Sequence, residues 1–126
     1  RTIRQTASTN TSSVYSLTEN LGGALYYGVE GSVAGTTFTG TPAYGAFLVS
    51  GAAYPLQLGT NGVVNVTIQS GGNVGIGTTT PSAYLHLKAG TATASTAPIK
   101  LTSGVVNTTP EAGAIEFDGS NFFMTV

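Results

Sequence analysis

The sequence predicts an all-β protein, and three observations carry that reading. Thr, Val, Gly and aromatic residues dominate while Glu, Lys, Arg, Gln, Met and Leu are scarce, a balance that favours strands over helices. No segment holds the i, i+3, i+4, i+7 apolar spacing of an amphipathic helix for three turns, whereas the period-two alternation recurs. Between the alternating segments lie Gly- and Asn-containing dipeptides that accept the positive φ of tight strand reversals.

Taken in order, residues 2–7 predict a short polar strand around Ile3, and residues 13–18 alternate through Tyr15 and Leu17. Residues 24–30 follow, with Tyr26 and Tyr27 adjacent, so one ring faces inward and the other outward. Residues 45–50 carry Phe47, Leu48 and Val49, and residues 55–59 put Leu56 and Leu58 on one face. Residues 63–69 put Val64, Val66 and Ile68 on one face with Asn65 and Thr67 on the other. Residues 73–77 carry Val74 and Ile76, residues 84–88 carry Leu85 and Leu87, and residues 98–102 carry Ile99 and Leu101. Residues 113–117 and 121–126 close the chain. The connectors Thr60-Asn61-Gly62, Ser70-Gly71-Gly72-Asn73 and Asp118-Gly119-Ser120-Asn121 predict hairpins, Asn-Gly being the strongest short hairpin signal. Pro55 to Gly77 therefore predicts a three-stranded antiparallel meander.

Composition changes after Gly77. Thr78-Thr79-Thr80-Pro81 predicts an extended connector, and residues 89–98 are small and polar with little to pack. The expected division is a β-rich module over 1–77 and a Thr/Ala-rich linker or shaft with a terminal hairpin over 78–126.

The composition also excludes function classes. Charged residues are 7% of the 126, against roughly 25% in ordinary soluble domains, and Ser plus Thr supply about a quarter. Four basic residues and a net charge of -1 leave no electrostatic footprint for nucleic acid. No apolar run approaches the roughly 20 residues of a spanning helix, so membrane insertion is not expected. The absence of Cys removes disulfides and thiolate metal sites. A small domain without staples needs another way to bury surface, and self-association is the direct one. The chain begins at Arg1 and is expected to be a piece of a longer polypeptide.

Candidate chemistry is sparse. His86 is the single histidine, with Ser82 near it in sequence, but no Gly-x-Ser-x-Gly elbow presents that serine. Lys88 stands where a His-x-His axial metal pair would need its second member, so no metal is expected. Of the acids Glu19, Glu30, Glu111, Glu116 and Asp118, Glu116 and Asp118 share a strand face beside a turn, which fits hairpin charges better than a glycosidase pair. Gly71 to Gly77 lacks the Gly-Lys-Ser/Thr ending of a phosphate loop. Asn10, Asn65 and Asn107 head Asn-x-Ser/Thr triplets, which a Thr-rich chain produces by chance. No enzyme activity and no cofactor are expected. Tyr26, Tyr27, Tyr44 and Tyr54 are the candidate surface contacts, since an exposed Tyr is a common partner for sugar or protein.

Gly72-Asn73-Val74-Gly75-Ile76-Gly77-Thr78-Thr79-Thr80-Pro81, followed by Tyr84-Leu85-His86-Leu87, resembles a pattern of phage tail-fibre and tail-spike proteins, in which a GNVGIGT-x-x-P stretch precedes a short LHV-like strand. Thr109 to Gly119 is similar to a linker of the same fibres, and Tyr27 to Gly31 to modules that precede the motif. The resemblance implies an intertwined homotrimer in a virion appendage, a β-prism or triple-β-like shaft with a small β module. In such fibres a C-terminal self-cleaving chaperone domain often lies further downstream, and it is not among the residues given. The residues alone point the same way: short Gly-bounded strands leave sheet edges open, and intertwined copies would pair them. Val66, Ile68, Val74, Ile76, Leu85 and Leu87 are the candidate residues for packing at the trimer axis. The expected partners are further copies of the chain, other virion or fibre proteins, and a host surface glycan or protein. A receptor- or glycan-binding module, or a subunit of a bacterial extracellular filament or adhesin, are the alternatives.

Overall fold

The computed structural model describes residues 14–126; the candidate strand at 2–7 and Asn10 lie outside them. The described residues are all-β and contain no helix. Among the described residues, nine strands form three sheets: β1 (Val14–Glu19), β2 (Ala24–Val29) and β3 (Ala46–Ser50) in the first, β4 (Leu56–Thr60), β5 (Val63–Ile68), β6 (Val74–Ile76) and β7 (Leu85–Leu87) in the second, β8 (Ile115–Phe117) and β9 (Phe122–Met124) in the third. The chain divides into a unit ending at Leu87 and a unit Lys88–Val126. That division falls ten residues after the change in composition, because β7 hydrogen-bonds to β6 and stays with the first unit.

In the first sheet β2 pairs antiparallel with both neighbours. Directly opposed residues share a face, so the alternation along β2 sorts its side chains into two sets. Tyr26 belongs to the covered set. Its ring meets Tyr15 at 5.6 Å and Phe38 at 5.2 Å, and Phe38 meets Phe47 at 5.3 Å, all edge-to-face. Phe47 is the one large hydrophobic side chain that is buried among the described residues.

Phe38 reaches this cluster from the 31–45 connection, which Glu30 holds in place. The Glu30 carboxylate is almost fully buried. It accepts hydrogen bonds from the amides of Gly31 and Thr37 and from the hydroxyls of Thr36, Thr37 and Thr41, at 2.7–3.1 Å. Donors converging on the ionised form offset the cost of taking a carboxylate out of water.

The second sheet contains the expected meander, β4–β5–β6 antiparallel, joined through a turn with Asn61 at φ 51° and Gly62 at φ 72°. Positive φ at both central residues is the geometry that matches the strand twist, and Asn-Gly is the pair that adopts it most easily. β7 then adds parallel to β6 after a connection shorter than the usual crossover of about a dozen residues.

In the second unit, β8 and β9 form the expected terminal hairpin. The Asp118 carboxylate accepts from the amides of Ser120 at 2.8 Å and Asn121 at 2.7 Å, and Phe117 stacks on Phe122 at 4.7 Å. Residues 98–102 form no strand: Ile99 and Lys100 are exposed, Pro98 has no amide to donate, and no strand pairs with them.

Candidate self-association face

The register of the second sheet arranges its side chains in two layers. Leu56 opposes Ile68 and Leu58 opposes Val66. Ile68 in turn opposes Val74, and Val66 opposes Ile76. Val74 lies beside Leu85 and Ile76 beside Leu87. One face of the sheet is thus a grid of two aliphatic rows, Leu56-Ile68-Val74-Leu85 and Leu58-Val66-Ile76-Leu87. All six residues singled out as candidate axis residues are in it, together with Leu56 and Leu58.

The opposite face carries Gln57, Thr67, Gly75 and His86 in a single row. The middle of that polar row is covered, while Gln57 at its edge is exposed and His86 half-buried. Thr67 is fully buried and Pro81 is buried. The 78–81 connection lies directly on Gly75, where a Cβ would stand 2.5 Å from the Thr78 carbonyl oxygen and 3.4 Å from Pro81 Cβ. No other residue than glycine admits so close a backbone approach. Asn73 Nδ2 donates to the Pro81 carbonyl at 3.3 Å and fastens the connection from the side.

The aliphatic face is consequently only partly covered, with Leu56, Val66, Val74 and Leu87 half-buried. Leu58 is 51% exposed, Ile68 37%, Ile76 48% and Leu85 59%. The period-two reading of 63–69 separates Val66 and Ile68 from Thr67, and the sheet keeps that separation, but it buries the threonine fully and leaves Val66 half-buried and Ile68 exposed. A bulge between Leu58 and Gly59 shifts the pairing, so that Val63 and Val64 oppose Thr60 and Gly59 and Asn65 has no partner in the register.

The tyrosines divide. Tyr26 is half-buried in the aromatic cluster, and Tyr27, Tyr44 and Tyr54 are exposed. Tyr44 holds φ at 58°, uncommon for a bulky side chain. Its amide donates to the Gly31 carbonyl at 2.9 Å, closing the base of the 31–45 connection.

The remaining candidate side chains make local hydrogen bonds. Ser82 Oγ lies 3.4 Å from His86 Nδ1, and the Ser82 amide donates to the same nitrogen at 3.3 Å. An amide N–H only donates, so in this contact Nδ1 is the acceptor. Glu116 accepts from the Asn107 amide at 2.8 Å, and Asp118 is held below the ordinary carboxylate range by the amides of Asn121 and Ser120. Among the described residues no three His, Cys, Asp or Glu side chains gather where a metal could be held, and no helix is long and apolar enough to cross a membrane. Compared with known proteins, the chain matches no family model and no curated protein.

The partial exposure of the grid was not legible. Alternation states which residues share a face; it does not state which face a loop will cover. The one signal available was Gly75 followed closely by Pro81, a small residue under a stiff connector, and it favours cover on the polar side.

Proposed function

We propose that this chain is a structural segment of a phage tail fibre, a shaft or adaptor that works as a homotrimer with the aliphatic faces of its second sheet turned toward a common axis. The observation that carries the reading is that face: eight aliphatic side chains in register, none charged, four of them exposed and four half-buried. The exposed fractions of Leu58, Ile68, Ile76 and Leu85 amount to about two whole side chains. Removing that much apolar surface from water stabilises the assembly by about 3–6 kcal/mol per copy.

Charge supports the same reading. Between Glu30 and His86 the chain carries no ionisable Asp, Glu, Lys, Arg or His. Copies can therefore meet face to face without burying an unpaired ion. The resemblance of Gly72–Pro81 to fibre sequences supplies the trimer number and the virion location, and the two rows of the face come from the strands around that motif. In this reading the copies form a three-sided β-prism, the polar row and its Pro81 cover outside, with no catalytic step and no cofactor.

Imaging of the assembled chain tests the proposal. Three-fold closure about one axis supports the fibre segment. Open head-to-tail stacking supports a bacterial filament instead and overturns it.

A further inference from the structure

The turn between β4 and β5 places the one Asn-Gly pair of the chain at an exposed hairpin tip. Asn61 stands at φ 51° and Gly62 at φ 72°, outside the strand pairing on either side. Among the described residues, the Asn61 side-chain amide makes no hydrogen bond and the Gly62 amide donates to no acceptor. A Cβ on Gly62 would meet nothing within 4 Å. An unengaged main-chain nitrogen thus follows directly on an unengaged carboxamide, with no side chain between them to hinder approach.

The other described asparagines lack that combination. Leu21, Val66, Val74, Thr108 and Phe122 follow Asn20, Asn65, Asn73, Asn107 and Asn121, and each carries a side chain that crowds its own amide nitrogen. Asn20 Oδ1 is held by the amides of Gly22 and Gly23, both at 2.9 Å, and Asn65 Nδ2 donates to Thr60 Oγ1 at 2.9 Å. After Asn73, the Val74 amide already donates to the Tyr84 carbonyl at 2.9 Å. The acidic counterpart, Asp118-Gly119, has its carboxylate held by the amides of Ser120 and Asn121 at 2.8 and 2.7 Å, which favours the ionised form. An ionised carboxylate resists a nucleophile that a neutral carboxamide admits.

We propose that Asn61 is a site of spontaneous deamidation through a cyclic imide. The Gly62 nitrogen gives up its proton to base and attacks Asn61 Cγ. The new N–Cγ bond closes the ring, the Cγ–Nδ2 bond breaks, and Nδ2 takes up a proton and leaves as ammonia. Water then opens the imide. Cleavage of the N–Cγ bond gives aspartate, and cleavage of the bond from nitrogen to the former main-chain carbonyl gives isoaspartate, with the chain running on through Cγ. Either product adds a carboxylate to a stretch, residues 31–85, that has no ionisable Asp, Glu, Lys, Arg or His. Isoaspartate also inserts one more atom into the backbone of a turn whose length sets the β4–β5 register. The inference goes beyond the shaft reading and stands apart from it, since the turn lies outside the aliphatic grid.

The test incubates the full, isotope-labelled chain in mildly alkaline buffer and follows its side-chain amides by NMR. The expected result is loss of the Asn61 side-chain amide signals before those of Asn20, Asn65, Asn73, Asn107 or Asn121. The peptide spanning the turn should gain about 1 Da, the exchange of an amide for an acid, and accept a methyl group from an isoaspartate-specific methyltransferase. The loss should quicken as pH rises, because the attacking nitrogen must be deprotonated. Asn61→Gly keeps a residue pair that the turn accepts and should abolish the new acidic species. Earlier loss at any of the other five asparagines, Asn61 signals that persist in the folded chain after the urea-unfolded chain has lost them, or an acidic species that still forms in Asn61→Gly would each overturn the site.

Discussion

Replacing Ile76 with Asp puts a charge at the centre of the proposed interface, between Val66 and Leu87. In an isolated copy the cost is small, because Ile76 is about half exposed and the new carboxylate keeps its water. In the trimer the same change removes about 1 kcal/mol of apolar burial per copy. It also brings three like charges together near the axis. Two such charges about 6 Å apart repel by about 3 kcal/mol at an effective dielectric of about 20, and a trimer contains three pairs. The penalty is on the order of 10 kcal/mol per trimer, enough to dissociate it at micromolar concentration. Crowding raises the carboxyl pKa in the assembled state above its dissociated value. Assembly of the variant is therefore expected at low pH and lost as pH rises through the raised pKa. Sedimentation equilibrium across pH, with far-UV circular dichroism as the check on folding, reads both effects. A folded Ile76→Asp chain that associates as the parent does at neutral pH would refute the placement of this face at the interface.

Three further outcomes are expected. Glu30→Ala removes the acceptor for five donors of the 31–45 connection and is expected to cost about 3 kcal/mol of unfolding free energy, read as a lowered denaturant midpoint, with early hydrogen exchange at Thr37; an unchanged midpoint would show that the connection holds without its anchor. Lys88 and Lys100 are exposed in a stretch without strands, and no Lys or Arg lies between residues 5 and 87, so brief trypsin treatment should leave a persistent fragment ending at Lys88; mass spectrometry showing both bonds resistant would contradict this. Asp118 has its folded pKa lowered by the amides of Asn121 and Ser120, so its contribution to the β8–β9 hairpin is present above the ordinary carboxylate pKa and is lost as pH falls through the lowered value; carboxyl NMR placing its midpoint at or above that of an unfolded peptide would contradict the assignment.

The parts of the fold legible in the sequence are those decided by neighbours in the chain. Asn61-Gly62 and Asp118-Gly119 carry their turn geometry in their own residue types, and the alternation from Leu56 to Ile76 follows from the two-residue period of a strand. The β6–β7 pairing was not legible, because a parallel partner across Thr78–Pro81 is chosen by the path of the connection rather than by either strand. Ile99 and Leu101 alternate as a strand would, yet alternation without a partner edge makes no sheet. Glu30 read as one acid among five. Its threonine donors lie six, seven and eleven positions on, a spacing that belongs to no local motif, so only the folded loop joins them. The six candidate axis residues share a face as their period requires. That this face is the less covered one depends on where Pro81 comes to rest.

The mass of the unmodified chain in solution tests the central proposal most directly. Homotrimeric assembly predicts a species of about 38 kDa, three times the 12.6 kDa chain, by sedimentation equilibrium at neutral pH. A 12.6 kDa species with a full β-sheet circular dichroism spectrum at every concentration would contradict it.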